Sequence, residues 1–357
     1  VNILKATPAL AVALLSPYAA AQSNVTLYGI LDACVVSAHG TSAAGTQANS
    51  GCAYGSRFGF RGQEDLGGGL KADFTLESGI SLDNGTLAQN GRLFGRKALV
   101  GLITPYGQLH MGRDYAPTFY LVRPVDPYKA GIGSATTMVS TSARPDGSGR
   151  NDNSIVYTSP RKNGYGIKAS YALGEHTATS TTTRDAKGVL FSYESDKLLA
   201  GVAYNATTNA TGRADDRTAT IGASVKTGFF QPAFLFQVGK WEGTRSVAAP
   251  SLATSFFSRD YRSAMVGATF AFGPGRGNLI ATYKRYDDKT VRNFDADQVT
   301  VGHKYQLSKR TELYAVYTRQ SNKGAAAYGL MDATNAFAAN GAGTAPSAFY
   351  LGITHIF

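Results

Sequence analysis

Residues able to do covalent or metal chemistry are sparse and scattered in this chain. The five histidines, His39, His110, His176, His303 and His355, form no i, i+4 pair, and no Cys-x-x-Cys or paired Cys–His spacing occurs. A zinc site is therefore not expected, and no metal or cofactor is called for. Gly67-Gly68-Gly69 lacks the Gly-Lys-Ser/Thr ending of a phosphate loop and reads as turn glycine. The Asp215-Asp216 and Asp287-Asp288 pairs fall at loop edges, where solvated charge is favoured over a weak divalent-cation or lipopolysaccharide-bridging site. The sequons at Asn205 and Asn209 mark only an exposed loop. Cys34 and Cys52 flank the first long connection and could meet in an oxidising compartment. Strand geometry decides whether they are within reach, so the disulfide stays open at this point.

Basic residues are what the chain has in quantity. Lys+Arg number 35 against 24 Asp+Glu, a net charge of +11, which points to anionic partners: phosphate-bearing solutes, lipopolysaccharide or nucleic acid. Charged residues make up only 17% of the chain and hydrophobic ones 43%, which excludes intrinsic disorder. No window holds the roughly 18 consecutive apolar residues of a membrane-spanning helix.

The first 21 residues carry Lys5, an apolar stretch from Ala6 to Leu15, a Ser16-Pro17 break and the small run Ala19-Ala20-Ala21. This is the plan of an export signal, with cleavage expected before Gln22 and one domain over residues 22–357. The alternative, a buried N-terminal helix, is disfavoured by Pro8 and Pro17. Export makes nucleic-acid binding improbable, so no nucleic-acid partner is expected.

From Asn24 onward the hydrophobic pattern has a period of two, as strands with two different faces require. In residues 298–307, Val299, Val301, His303, Tyr305 and Leu307 alternate with Gln298, Thr300, Gly302, Lys304 and Gln306. Sixteen such segments can be counted, near 24–36, 54–63, 69–78, 94–103, 107–114, 152–159, 164–173, 188–195, 198–207, 216–227, 229–240, 260–272, 278–287, 297–307, 311–320 and 347–357. Every connection after an even-numbered segment is short, such as TPYG, ESDK and KTG, and those after odd-numbered segments are longer. A soluble β-sandwich would also alternate, but it has no need for one-sided short turns. The apolar faces, broken by Ala and Gly and often ending in Tyr or Phe, instead fit lipid contact with aromatic girdles at both interfaces. The expected fold is an all-β transmembrane antiparallel β-barrel of 16 strands, with short periplasmic turns, long extracellular loops and a water-filled lumen. Strand parity then places Arg57, Arg61, Lys71, Lys168, Lys226, Lys284 and Lys304 on the lumen side, with Asp32, Asp73, Glu77 and Glu194. Rings of basic side chains raise the local anion concentration, and salt screens them over about 8 to 10 Å. A modest anion preference is the expectation.

The stretches QSNVTLYGILDA, SRFGFRGQEDLGGGLKADFTLESG, GRKALVGL with GQLHMGRD, RNDNSIVYTSP and the ending YLGITHIF stand in this order. Together they resemble the general porins of β-proteobacterial outer membranes, over essentially the whole chain after the export signal. The resemblance implies homotrimeric sixteen-stranded channels in the outer membrane, in contact with its lipids and lipopolysaccharide. It also implies that Phe357, with Ile353, Leu351 and Phe349 on its face, is read by the barrel-assembly machinery. Ile356 departs from the basic residue many members carry there. The third long loop of such porins narrows the pore, which makes residues 115–149, with Asp126 and Asp146, the candidate constriction; a surface loop is the other reading. Opposite it the family places arginines on the wall, and the matching positions are Arg57, Arg96 and Arg150. For Arg57 a rim position against lipid phosphates remains the alternative. The function implied is passive diffusion of small hydrophilic solutes and ions, without an enzymatic step. The alternatives are a substrate-specific channel of the same architecture, for which the lumen faces look too poor in aromatic residues, and a barrel enzyme. His39 and His176 lie in suitable loops for the latter, but neither comes with a recognisable nucleophile and carboxylate.

Overall fold

The computed structural model describes residues 24–134, 136, 149–174, 185–208, 215–240, 260–272 and 277–357. The export signal, Asp146, His176, Asn209 and Trp241 lie outside the described residues. In chain order the elements are β1 (Asn24–His39), β2 (Gly45–Ser50), β3 (Arg57–Gly67), β4 (Leu70–Gly79), the single turn α1 (Ala88–Gly91), β5 (Lys97–Thr104), β6 (Gly107–Tyr115) and α2 (Phe119–Val125). They continue with β7 (Arg150–Thr158), β8 (Tyr165–Ala172), β9 (Ala186–Glu194), β10 (Leu198–Thr208), β11 (Asp215–Val225), β12 (Phe230–Lys240), β13 (Asp260–Phe272) and β14 (Gly277–Asp288). The last are β15 (Ala296–Gln306), β16 (Thr311–Asn322), a small hairpin of β17 (Leu330–Met331) and β18 (Ala336–Phe337), and β19 (Ser347–Ile356).

Consecutive wall strands pair antiparallel, and β1 closes the cylinder against β19, from Ile30 opposite Ile356 to His39 opposite Ser347. β2 and β3 share one place in the wall: β2 pairs with the upper half of β1 and β3 with Asn24–Ile30. The barrel therefore has sixteen staves, and residues 51–56 between β2 and β3 turn inward, with Cys52 and Ala53 buried. Closure is completed below by reciprocal backbone bonds between Gly29 and Phe357, at 3.0 and 3.1 Å. At Gly29 a Cβ would stand 2.7 Å from the Arg57 backbone oxygen and 2.3 Å from the tip of the Phe357 ring, so a side chain there would force the strand pair apart.

Burial is inverted relative to a water-soluble protein. Val100, Ile167, Val202, Ile221, Val266, Val299 and Leu351 are exposed on the outside, whereas Thr220, Gln237, Thr282, Gln298 and Thr300 are buried on the inner face. Some inner polar groups pair across neighbouring strands: Gln237 Nε2 donates to Thr220 Oγ1 at 2.7 Å, and Thr300 and Thr318 share a bond of 2.9 Å. A lipid-facing exterior and a hydrogen-bonded interior are what a spanning barrel needs.

Cys34 on β1 and Cys52 in the inward segment are joined by a disulfide, with Cα atoms 6.3 Å apart. Beside it, Asp32 accepts from the Ala53 amide at 3.0 Å, from the Tyr314 hydroxyl at 3.1 Å and from the Thr354 hydroxyl. The staple spans 18 positions, and constraining a loop of that size in the unfolded chain is worth about 3 kcal/mol. Removing it by Cys34→Ala with Cys52→Ala should lower the temperature at which the barrel loses its compact electrophoretic mobility. Identical transitions with and without the bond would show that the Asp32 network alone holds the segment.

The β17–β18 hairpin folds over the same side of the lumen. Its connecting Asp332 is buried and accepts from the amides of Thr334 at 2.9 Å and Asn335 at 2.6 Å. Burial, with Asp32 nearby, pushes the Asp332 carboxyl up to about 7 from 3.8. The folded hairpin therefore retains a proton that the open one loses, and its docking is weakest above pH 7. It strengthens as pH falls from about 7 towards 4 and gains nothing further below that. Amide-exchange protection factors over residues 330–337 should rise across this window in the native protein and stay flat in Asp332→Asn, whose amide oxygen still accepts the turn's bonds.

Candidate functional site: the constriction

The segment after β6 turns into the lumen and forms α2. This short helix presents Leu121, Val122 and Val125 to Leu190, Leu199, Ala203, Leu235 and Met265 on the inner wall. Pro124 lies within it, and Pro127 holds the preceding Asp126 extended, with ψ 122°, which ends the helix after seven residues. Asp126 then makes a turn: Oδ1 accepts from the Tyr128 amide at 3.0 Å and Oδ2 from the Ala130 amide at 3.2 Å. Tyr128 donates its hydroxyl to the Ile280 carbonyl at 2.9 Å. Beyond it, Gly133 sits so close to β15 that a Cβ would lie 2.2 Å from Thr300 Oγ1, and its φ is +52°. Lys284 on β14 donates to the carbonyl of Gly133, to that of Ser134 at 2.6 Å and to Gln298 Oε1. The third long loop is thus anchored across the interior at both ends of its described part.

The wall facing this loop carries a cluster of guanidinium groups. Arg96 Nε meets Glu77 Oε1 at 2.7 Å, and Arg57 Nη1 lies 3.9 Å from the same oxygen. The Tyr115 hydroxyl accepts from Arg150 Nη2 and, at 3.1 Å, from Arg96 Nη2. The Arg150 guanidinium also covers the Tyr115 ring at 4.1 Å, and Tyr115 stacks on Phe119 of α2 at 3.8 Å. Backbone carbonyls fix the fan: Gly55 O accepts from Arg57 Nε at 2.9 Å and Arg96 O from Arg150 Nε at 3.1 Å. Among the described residues, Arg96 and Arg57 share the Glu77 carboxylate, and Arg150 is held by the Arg96 carbonyl and the Tyr115 hydroxyl, so three guanidiniums gather on one patch of wall. Tyr28 completes the group, donating to Glu77 Oε2 at 3.1 Å and lying under Arg61 at 5.4 Å.

Next to it stands a second set. Tyr120 donates to both oxygens of Asp114, at 2.7 and 2.8 Å, while Lys97 reaches the Tyr120 oxygen at 2.9 Å and Asp114 at 3.3 Å. Burial, then the Asp114 charge, pushes the Tyr120 hydroxyl well above its usual range, so it stays a donor.

Of the basic residues read from strand parity, all face inward, but their environments differ. Lys168 points beneath α2, and Lys226 shares Glu194 with Arg161, each at 3.1 Å, near the short turns. Lys71 is half-buried on the inner face of β4. Lys284 and Lys304, expected to line open lumen, are covered instead: Lys284 by the third loop, Lys304 by Tyr54 at 2.9 Å with Glu312 at 3.3 Å. Asp126, expected to face the arginines, uses its carboxylate on the loop's own backbone. Tyr115, Lys97, Asp114 and Tyr120 were not singled out by the sequence reading. A bulge between Gly112 and Asp114 shifts the end of β6 and breaks the parity rule there.

A closed antiparallel barrel with a lipid-facing exterior, a polar interior and a charged loop drawn across its middle is a transmembrane pore of the outer-membrane type. The chain belongs to the Gram-negative porin family, whose model matches residues 6–325, and its place is the outer membrane. It is 33% identical to outer membrane porin protein 32 of Delftia acidovorans, over 99% of both chains. The solved anion-selective porin from Comamonas acidovorans superimposes with a TM-score of 0.81 at 32% identity, covering 94% of this chain and all of that one. The trimer form of OmpT of Vibrio cholerae shares the fold, with a TM-score of 0.68 at 14% identity and coverage of 94% and 99%.

Proposed function

We propose that this porin is an anion-preferring diffusion channel whose selectivity is set by Arg57, Arg96 and Arg150. The observation that carries this is the gathering of three guanidiniums on the wall where the third loop narrows the lumen. Passing solutes meet the guanidinium edges, which attract an anion without binding it covalently, so no chemical step is involved. The anion selectivity in the description of the Comamonas acidovorans protein, 32% identical, supports the same reading. The working form is a homotrimer, in keeping with the trimer form of the OmpT barrel. Residues 1–21 act as a cleaved export signal, and Phe357, which closes β1 against β19, doubles as the assembly signal. The test is the zero-current potential of single channels under a potassium chloride gradient. The potential should lie on the chloride side and shrink as total salt rises; a potential on the potassium side sinks the proposal.

A further inference from the structure

Beneath α2, between the helix and the short turns, the inner wall holds a cavity of about 430 Å³. Two features set it apart from the constriction. The first is its charge. Lys97 is paired with Asp114 and Arg161 with Glu194 at 3.1 Å, and His110 hydrogen-bonds Asp73 at 2.9 Å, whereas Lys168 makes no ion pair among the described residues. Its ammonium donates to Thr158 Oγ1 at 2.9 Å and stands 4.3 Å from the centre of the Tyr120 ring, leaving donor capacity for a ligand. The second is its apolar floor. Leu121, Leu190 and Leu199 line it together, although the inner face elsewhere is largely polar.

We propose that this cavity is a binding subsite for small organic monocarboxylates with an apolar or aromatic body. The carboxylate pairs with Lys168 and the body lies against the leucines. Lys168, without an ion pair among the described residues, offers one ammonium to one carboxylate, and the volume falls in the range of small-ligand pockets. Chloride or phosphate would gain the charge contact but nothing from the leucine floor. The subsite rests on the anion-conducting reading of the lumen, since its ligand arrives through the arginine constriction.

The probes are sodium benzoate and sodium acetate, added to porin in a planar bilayer, with the chloride current as readout. Burial of the ring should let benzoate half-block at a concentration about tenfold lower than acetate. Lys168→Gln should weaken benzoate block about tenfold relative to that variant's own current, and Lys168→Arg should restore it. Lys71→Gln should leave the benzoate block intact, and Leu190→Thr should bring benzoate towards acetate while acetate stays unchanged. Heat-modifiable mobility checks that each variant is folded. Equal half-block by the two acids, or a benzoate block that survives Lys168→Gln and disappears in Arg96→Gln, overturns the subsite. The zero-current potential in plain potassium chloride separates the two readings: chloride preference without benzoate discrimination removes the subsite alone, and potassium preference removes the anion channel beneath it.

Discussion

Replacing Arg57, Arg96 and Arg150 together with Gln should move the zero-current potential from the chloride side to near zero, or past it. A unit charge at about 8 Å through water is worth about 0.5 kcal/mol, so each guanidinium charge removed lowers anion enrichment about twofold and raises cation access as much. Low-dielectric walls enlarge this figure, and salt reduces it once the screening length falls below the pore radius. The triple variant leaves the Glu77 carboxylate without its two guanidinium partners, so the local field loses its cationic source and gains an exposed negative one. Arg96→Gln alone should have a smaller effect on selectivity but the greater effect on stability, because Arg96 is buried and holds both Glu77 and Tyr115. Leaving that carboxylate with the more distant Arg57 costs several kcal/mol. Potentials measured at low and high salt, with folding followed by heat-modifiable mobility, distinguish the two. An unchanged potential in the triple variant would place selectivity elsewhere in the lumen.

The second large effect is expected at Lys284. Its ammonium is fully covered and satisfied by the carbonyls of Gly133 and Ser134 and by Gln298. Bonds to a charged donor contribute about 1.5 to 3 kcal/mol each, so Lys284→Met should release the far end of the third loop. The expected record is a noisier open channel that closes at lower voltage, with a smaller change in zero-current potential than Arg96→Gln produces. If Lys284→Met shifted the potential as strongly as the arginine variant while leaving the current quiet, Lys284 would be a pore-lining charge rather than an anchor.

Much of the barrel was legible because its environment imposes period-two alternation. Residues 298–307 sort into a lipid face and a lumen face by inspection, and the structure keeps that division. The same parity put Arg57 inward. The second stave shows where inspection ran out. Alternation places its start near residue 54, but it consists of β2 and β3 with an inward detour at 51–56, which the Cys34–Cys52 bond and the Asp32 acceptors hold in place. Local pattern cannot report a detour stabilised by partners such as Tyr314 and Thr354, some 300 positions away.

By itself, the sequence determined the barrel class, the inner and outer faces of its strands and the stock of inward-facing cations, since each follows from alternation between lipid and water. The tertiary structure decided which of those cations remain electrostatically active. Lys284 and Lys304 are equivalent to Lys168 by parity, yet the first two lie beneath inward loops with their donors satisfied, whereas Lys168 faces a cavity and makes no ion pair among the described residues. The physical reason is range. Facing is a local property of an extended backbone, whereas the field of a charge depends on what a distant loop places against it.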